Sequence, residues 1–487
     1  MMRPLFIVAL LMLNSCAESP ANARQQSSST DIHLEKIEMN LPPVHYLEGQ
    51  AQMQTIPQAM GRYQVAGVSM AFVNKGKLQW TKSYGYASLE DSTLISPATV
   101  FAGGSLSKPI TAIAALSMVE GGLMPLDENV NTILKDYQLP ENSYTVKEKI
   151  TLRRLITHKA GIKNELWASY FPNEAVPSLT AMLSGTPPSM NQPVEVIAVP
   201  GSREQYSNPG YSVIQKILED VSGQSFDDII QERIFSAAGM SSSTMQQPIP
   251  ESLAQKRATG YDKDGLPYPY KLFPFKAAGG IWTTPEDMAK FMIAIMDDYH
   301  KDSRKLLSRK MAKTVFDSST GRLGFTKEIK DDQILFDHWG SNAGFSCYMV
   351  GHLDKEQGVV IMTNSDRGFD LLAAIARSVA MEYQWGFLEP EIYNPIEIQA
   401  GVLKDYTGTF SDKKPGGMHM EFQMRNSALY ISTASQDHKL IPVTNSKFIS
   451  AEDNHAYEFI RDENNVIKWV RITEENGYNF DLLKETD

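Results

Sequence analysis

Apolar positions recur along this chain with two periods, and the places where one gives way to the other outline its architecture. Val65 to Val73 and Leu78 to Tyr84 are apolar, β-prone runs on either side of Asn74-Lys75-Gly76-Lys77, which predicts a hairpin. The period then lengthens. In FAGGSLSKPITAIAALSM, Phe101 to Met118, the residues Ile110, Ile113, Ala114, Ser117 and Met118 recur at helical spacing with hardly a charge among them. That pattern predicts a helix packed inside a core. Pro109 has no N–H to donate and fits only a first turn, so this helix is predicted to begin near Ser105. Gly121-Gly122 should end it.

Further on, Leu126 to Tyr137 reads as a short amphipathic segment and Ile150 to Ile162 as a helix up to Gly161. Ser178 to Pro200, rich in proline and methionine, reads as irregular. Two helices, Gly210 to Val221 and Phe226 to Ala238, are closed by Gly223 and Gly239. Thr284-Pro285-Glu286-Asp287 is a capping box that opens a helix through Met296. The shorter period returns in Leu323 to Ile329, Ile334 to His338, Phe345 to Val350 and Gly358 to Thr363, before a last helix from Gly368 to Tyr383. A helical middle between an early hairpin and late strands predicts one sheet completed from both ends of the chain. Beyond Asn394-Pro395 the texture changes to short alternating runs: Tyr406 to Phe410, Met418 to Met424, Ala428 to Ser432, Phe448 to Ser450, Tyr457 to Arg461 and Ile467 to Thr473. They predict a small antiparallel β domain or barrel at 396–487.

Composition narrows the function classes. The chain has 487 residues, 42% hydrophobic and 21% charged, enough for one large domain, here placed at 46–390, and a smaller one. A net charge of −11 with no basic tract argues against nucleic acid as a partner. Two cysteines, Cys16 and Cys347, with no C-x-x-C, leave no thiolate zinc site, and H-E-x-x-H, G-x-S-x-G and the Walker A pattern are absent. No metal and no cofactor is expected, and the methionines read as core filler. Residues 1–15 read as a signal segment, with Arg3 ahead of the apolar run Leu5 to Leu13. Leu13-Asn14-Ser15-Cys16 is similar to a bacterial lipobox with Cys16 as the lipidated residue, and cleavage after Ala21-Asn22-Ala23 is the alternative. Either route exports the protein, to the periplasmic face of a membrane by lipid anchor or to the periplasm. Residues 16–45, polar from Ala17 to Thr30, are expected to be a tether, with order from about Leu47.

The candidate chemistry sits at the start of the apolar helix. Ser105 and Lys108 share a helical face, so the amine can reach the hydroxyl, and a lysine desolvated in an apolar setting can take a serine's proton. Ser411-Asp412-Lys413-Lys414 matches the same S-x-x-K pattern, but Pro415-Gly416-Gly417 follows it and it reads as a polar turn. Tyr206-Ser207-Asn208 precedes a helix, and His338-Trp339-Gly340-Ser341 ends a predicted strand. His158, at a helix end, reads as structural, and Cys347 as an inert buried thiol.

With these motifs in this order the chain resembles the penicillin-recognising serine hydrolases: class C-type β-lactamases, D-alanyl-D-alanine peptidases and related esterases and D-aminopeptidases. FAGGSLSKPITA, ITLRRLITHKAGI, the Y-x-N triplet, AAGGIWTTPEDMAKF, GSNAGF and VVIMTNSD carry the resemblance from about Leu47 to Gly386. It implies an α/β fold, with an antiparallel sheet flanked by helices and a helical subdomain. It implies an acyl-enzyme mechanism with Ser105 as nucleophile, Lys108 as base or relay and Tyr206 as second proton-transfer group. Asn208 would bind the substrate amide and position Lys108, Gly340 would admit the substrate backbone, and the Ser105 and Ser341 N–H groups would form the oxyanion hole. His338 stands where the lactamases carry a lysine, so substrates relying on that cation should bind worse, unless Arg367 compensates; His338 would then share the proton relay. An ester, a D-amino peptide or amide, or a β-lactam, peptidoglycan-derived or not, fits the same machinery. The alternative is a catalytically silent member that binds peptidoglycan or a partner protein. The sequence does not set an oligomeric state.

Overall fold

The computed structural model describes residues 32–165, 168–414, 417–432, 437–450 and 452–485. The expected tether is shorter than its polar composition suggested. Residues 32–39 form a helix whose Leu34 and Ile37 are buried against the main domain, and β1 (His45–Leu47) follows. Only two apolar positions anchor that helix, too few to register as a helical period. Cys16 lies outside the described residues.

The predicted hairpin forms as β2 (Gly67–Asn74) and β3 (Lys77–Ser88), joined through Lys75 and Gly76, both at positive φ. A two-residue β4 (Thr93–Leu94) follows, and then β5 (Phe101–Gly104) leads into the apolar helix, Ser107–Glu120. The middle of the chain adds the helices Asn208–Ser222, Phe226–Ile230 and Pro285–Lys301, with β6 (Ile281–Thr283) pairing to β5. Three predictions were too long or too regular. Leu126 to Tyr137 holds one turn of 3-10 helix at Val130–Thr132, the helix after Ile150 covers only Leu152–Ile156, and Phe226 to Ala238 changes to π-helix at Gln231–Ser236. Within the irregular stretch a short helix, Leu179–Ser184, forms.

Four late strands, β7 (Thr326–Lys330), β8 (Gln333–Asn342), β9 (Phe345–His352) and β10 (Gln357–Thr363), complete a seven-stranded sheet in the order β4-β3-β2-β10-β9-β8-β7. The sheet is antiparallel throughout, and β10 from the end of the domain pairs with β2 from its beginning. Strands period two places successive side chains on opposite faces. Val68, Met70 and Phe72 of β2, with Val359 and Ile361 of β10, pack against the helices Ile56–Tyr63 and Phe369–Glu382. Ala71 and Val73, with Val360 and Met362, face the other way into a core shared with Ser107–Glu120 and Pro285–Lys301. Both faces are therefore covered, which is why β2 and β10 read as continuous apolar runs.

A short β11 (Glu391–Tyr393) pairs in parallel with β1. The C-terminal region is a closed eight-stranded barrel: β12 (Gly408–Ser411), β13 (His419–Arg425), β14 (Ala428–Ser432), β15 (Asp437–Pro442), β16 (Lys447–Ser450), β17 (Ala456–Arg461), β18 (Ile467–Thr473) and β19 (Asn479–Lys484). Phe410, Phe422, Phe448 and Phe459 fill it. The sequence pattern found six of these strands. β15 and β19 escaped it because each offers few inward apolar residues among charged ones; closure, which leaves no edge, recruits them. The barrel docks on the main domain through the Arg377 guanidinium, which donates to the Glu475 carbonyl at 2.9 Å.

Candidate active site

The apolar helix starts two residues later than expected. Ser105 occupies the turn before it, where the Lys108 N–H donates to the Ser105 carbonyl at 3.0 Å and the Leu106 N–H to the Gly103 carbonyl at 3.1 Å. Two glycines put the turn there. A Cβ on Gly104, which has φ +52°, would lie 2.3 Å from the Ser341 carbonyl oxygen, and one on Gly340 would lie 2.2 Å from the Gly103 carbonyl oxygen. The loop before Ser105 thus lies backbone to backbone on β8, and the Ser341 peptide comes beside it. This revises the expectation for Gly340, whose missing side chain makes room for the nucleophile loop.

Apolar residues surround the helix on every side, and Lys108 is buried with them at 0% exposure. Desolvation holds its pKa well below the usual lysine range. Its Nζ has three partners: Ser105 Oγ at 3.0 Å, Asn208 Oδ1 at 2.8 Å and the Ala278 carbonyl at 2.7 Å. Two of the three are obligate acceptors. In its uncharged form the amine would have two N–H groups for them and one lone pair left for the Ser105 hydroxyl. Tyr206 donates from its hydroxyl to Ser105 Oγ at 2.9 Å, and burial raises its pKa, so the phenol keeps its proton at rest.

The segment bearing Tyr206 is pinned from behind. Ser207 caps Asn208–Ser222 by accepting the Gly210 N–H, and its own N–H donates to His158 Nδ1 at 3.1 Å. The His158 ring stands 4.4 Å from that of Tyr206, and burial holds its pKa well below the usual histidine range. His158 thus backs the segment that carries Tyr206.

His338 is buried on β8, and its pKa is pulled down to about 3 by desolvation first and then by Lys108. Its Nδ1–H donates to the Trp339 carbonyl at 2.6 Å, and among the described residues it makes no hydrogen bond to Tyr206 or Ser105. The side chain is neutral, as expected from its type, but it is not wired into the proton relay. Sequence reasoning missed the nearby cation. Arg322, in the loop ahead of β7, lowers the pKa values of both Tyr206 and His338, and its guanidinium also donates to Glu204 at 3.0 Å. Its only signal was a basic residue between two glycines beside the HWG strand. Arg367 is exposed in the loop after β10. Cys347 is fully buried, as expected, with burial raising its pKa.

A family model described as Beta-lactamase matches residues 53–381. The chain belongs to the beta-lactamase family. Its match ends before the barrel. Among individual relatives, a putative penicillin-binding protein, PbpX, of Bacillus subtilis (strain 168) is 30% identical over 275 residues, covering 53% of this chain and 61% of its own. A second penicillin-binding protein of that organism is 23% identical over 421 residues, 81% of this chain and 90% of its own. The octameric penicillin-binding protein homologue from Pyrococcus abyssi superposes with a TM-score of 0.59 at 22% identity, over 88% of this chain and 98% of that one, and so shares the fold with both domains. The family places the chain among the penicillin-recognising serine hydrolases, as its motifs implied. No cluster of metal-ligating side chains occurs among the described residues.

Proposed function

We propose that the chain hydrolyses its substrate through an acyl-enzyme on Ser105. The observation that carries this reading is that one serine oxygen is bonded both by a buried lysine amine, whose pKa desolvation lowers, and by a tyrosine hydroxyl, whose pKa burial raises. Lys108 takes the Ser105 proton as Oγ attacks, and Tyr206 gives its own proton to the departing group. The tyrosinate so formed lies beside the new ammonium, whose Nζ is 4.8 Å from the Tyr206 ring. In the second half, the tyrosinate takes a proton from the attacking water, and Lys108 returns its proton to Ser105 as the acyl group leaves. Asn208 holds Lys108, and the Ser105 and Ser341 N–H groups receive the developing oxyanion, each such donor being worth about 10²–10³ in rate.

Short esters and D-amino amides or peptides, peptidoglycan-derived ones included, are the proposed substrates in preference to β-lactams. The neutral His338 supports this choice, and Arg322 is half-occupied with Glu204. The deciding experiment compares nitrocefin with p-nitrophenyl butyrate for unlabelled wild type and His338→Lys, with fluorophosphonate labelling of Ser105 read on a separate sample. Efficient nitrocefin hydrolysis by wild type, with no gain in His338→Lys, would sink the substrate preference; absence of label on Ser105 would sink the hydrolase reading and return the silent binding protein. Export with a lipid on Cys16 belongs to the same proposal. Membrane fractionation of wild type and Cys16→Ala tests it, and equal recovery as soluble protein overturns it.

A further inference from the structure

A cavity of about 210 Å³ opens beside the far end of β8, away from Arg322. Asn342 on its wall is the neighbour of Ser341, and the Asn342 amide donates to the Gly279 carbonyl at 3.0 Å, next to the Ala278 carbonyl that accepts from Lys108. Ala102 of β5, three residues before Ser105, lines it as well. The cavity is therefore continuous with the backbone that frames the nucleophile.

Its charge is one-sided. Arg257 and Lys271 line it and no carboxylate does, in a chain of net charge −11. The Arg257 guanidinium is half-buried, 4.2 Å from the Tyr270 ring and 5.9 Å from the Trp282 ring, and it makes no ion pair among the described residues. Its backbone is bridged to Val100, just ahead of β5, so the charge is held by the strand that delivers Ser105. The Lys271 amine lies 4.6 Å from the Phe171 ring and likewise has no ion pair among the described residues. A nearby carboxylate, Asp366, is committed elsewhere, accepting from the Tyr268 hydroxyl at 3.0 Å and the Gly344 N–H at 2.7 Å. A cation lying against aromatic rings, partly dehydrated and with no ion pair among the described residues, gains most when an anion arrives.

The direction of β8 says which part of a substrate would reach it. His338 feels the charge of Arg322, as Tyr206 does, and Asn342 lies four residues on along β8, roughly 13 Å at the usual rise per residue. Tyr206 protonates the leaving group, so that group occupies the His338 end and the acyl chain runs toward Asn342. We propose that this cavity is an acyl-side anion subsite, in which Arg257 and Lys271 select substrates whose acyl portion ends in a carboxylate. The proposal rests on reading Ser105 as the nucleophile.

The test sets p-nitrophenyl butyrate against the mono-p-nitrophenyl esters of succinate, glutarate and adipate. In each, Ser105 Oγ bonds to the acyl carbon while the bond to p-nitrophenolate breaks and the serine proton passes to Lys108; water then releases the free acid and restores Ser105. One of the three acidic esters is expected to exceed butyrate about tenfold in kcat/KM, a ratio that falls as salt is raised. Arg257→Ala should bring the ratio close to one, and Lys271→Ala should reduce it two- to threefold (order-of-magnitude expectations for charged contacts). A general structural injury lowers all esters and leaves the ratio, and Arg257→Gln keeps a planar group on the rings should Arg257→Ala not fold. A wild-type ratio at or below one for all three acids, or one unchanged in the Arg257 variants, overturns the proposal. Saturation-transfer NMR of glutarate with Ser105→Ala reads the cavity without catalysis: binding lost on adding Arg257→Gln supports the subsite, and binding that persists refutes it. If Ser105→Ala still hydrolyses the esters, the nucleophile assignment fails, and the NMR titration still decides the anion site.

Discussion

Two stretches of this chain carry the same four-residue pattern, and they could hardly differ more in chemistry. Ser105 to Lys108 lies at the mouth of a helix buried on all sides, with the lysine at 0% exposure and its amine bonded to Ser105, Asn208 and Ala278. Ser411 to Lys414 leaves strand β12 for a turn, and the Lys414 side chain is 78% exposed, 3.6 Å from Asp412. There the lysine faces water and a carboxylate, and nothing in its surroundings dehydrates it. A desolvated amine, with two obligate acceptors to satisfy, has a lone pair free for a serine. The pattern supplies the groups, and burial supplies the base.

Removing the serines separates the two stretches most sharply. Ser105→Ala should lose fluorophosphonate labelling entirely, measured by intact mass, while Ser411→Ala labels like wild type. Equal labelling of all three would end the distinction. Lys108→Arg should lower ester kcat/KM by about 10³-fold or more, since an arginine cannot give up its proton, and Lys414→Arg should change nothing measurable. The same lysine leaves a signature in stability. Its folded pKa is depressed, so the unfolded chain binds more protons between that value and the ordinary lysine range, and stability rises with pH across this window. The Tm of wild type is therefore expected to climb relative to Lys108→Met between pH 7 and 10. Parallel pH–Tm curves for Lys108→Met and wild type would mean that Lys108 is not desolvated.

Tyr206→Phe should cost about 10²-fold in ester turnover. Burial raises the pKa of the phenol, so wild-type activity should show no alkaline loss below pH 10 that the variant removes. The smallest effect comes from the glycines that seat the buried stretch. Gly340→Ala pushes a methyl against the Gly103 carbonyl, and we expect a Tm lower by several degrees and labelling slowed about tenfold. Gly401→Ala, with no atom within 4 Å of the added carbon, serves as the silent control. An unchanged Tm in Gly340→Ala would show that the loop can move off β8 freely.

Much of this was written in the order of residues. The apolar run after Ser105 could only be a buried helix, since no face of it tolerates water. The runs now forming β2 and β10 required a sheet covered on both sides, and the motif order named the family. The Ser105, Lys108, Tyr206 and Asn208 set was legible because each member stands at the edge of a regular element with a recognisable local pattern. Other features depended on distance in space. Arg322 acts on Tyr206 and His338 from a loop without a motif, Gly340 is required by the Gly103 carbonyl, and Arg257 meets aromatic rings and no ion-pair partner among the described residues. Periodicity reports which side of an element meets water. It carries no information about which two elements meet, and it is those meetings that dehydrate Lys108 and set the charges around it.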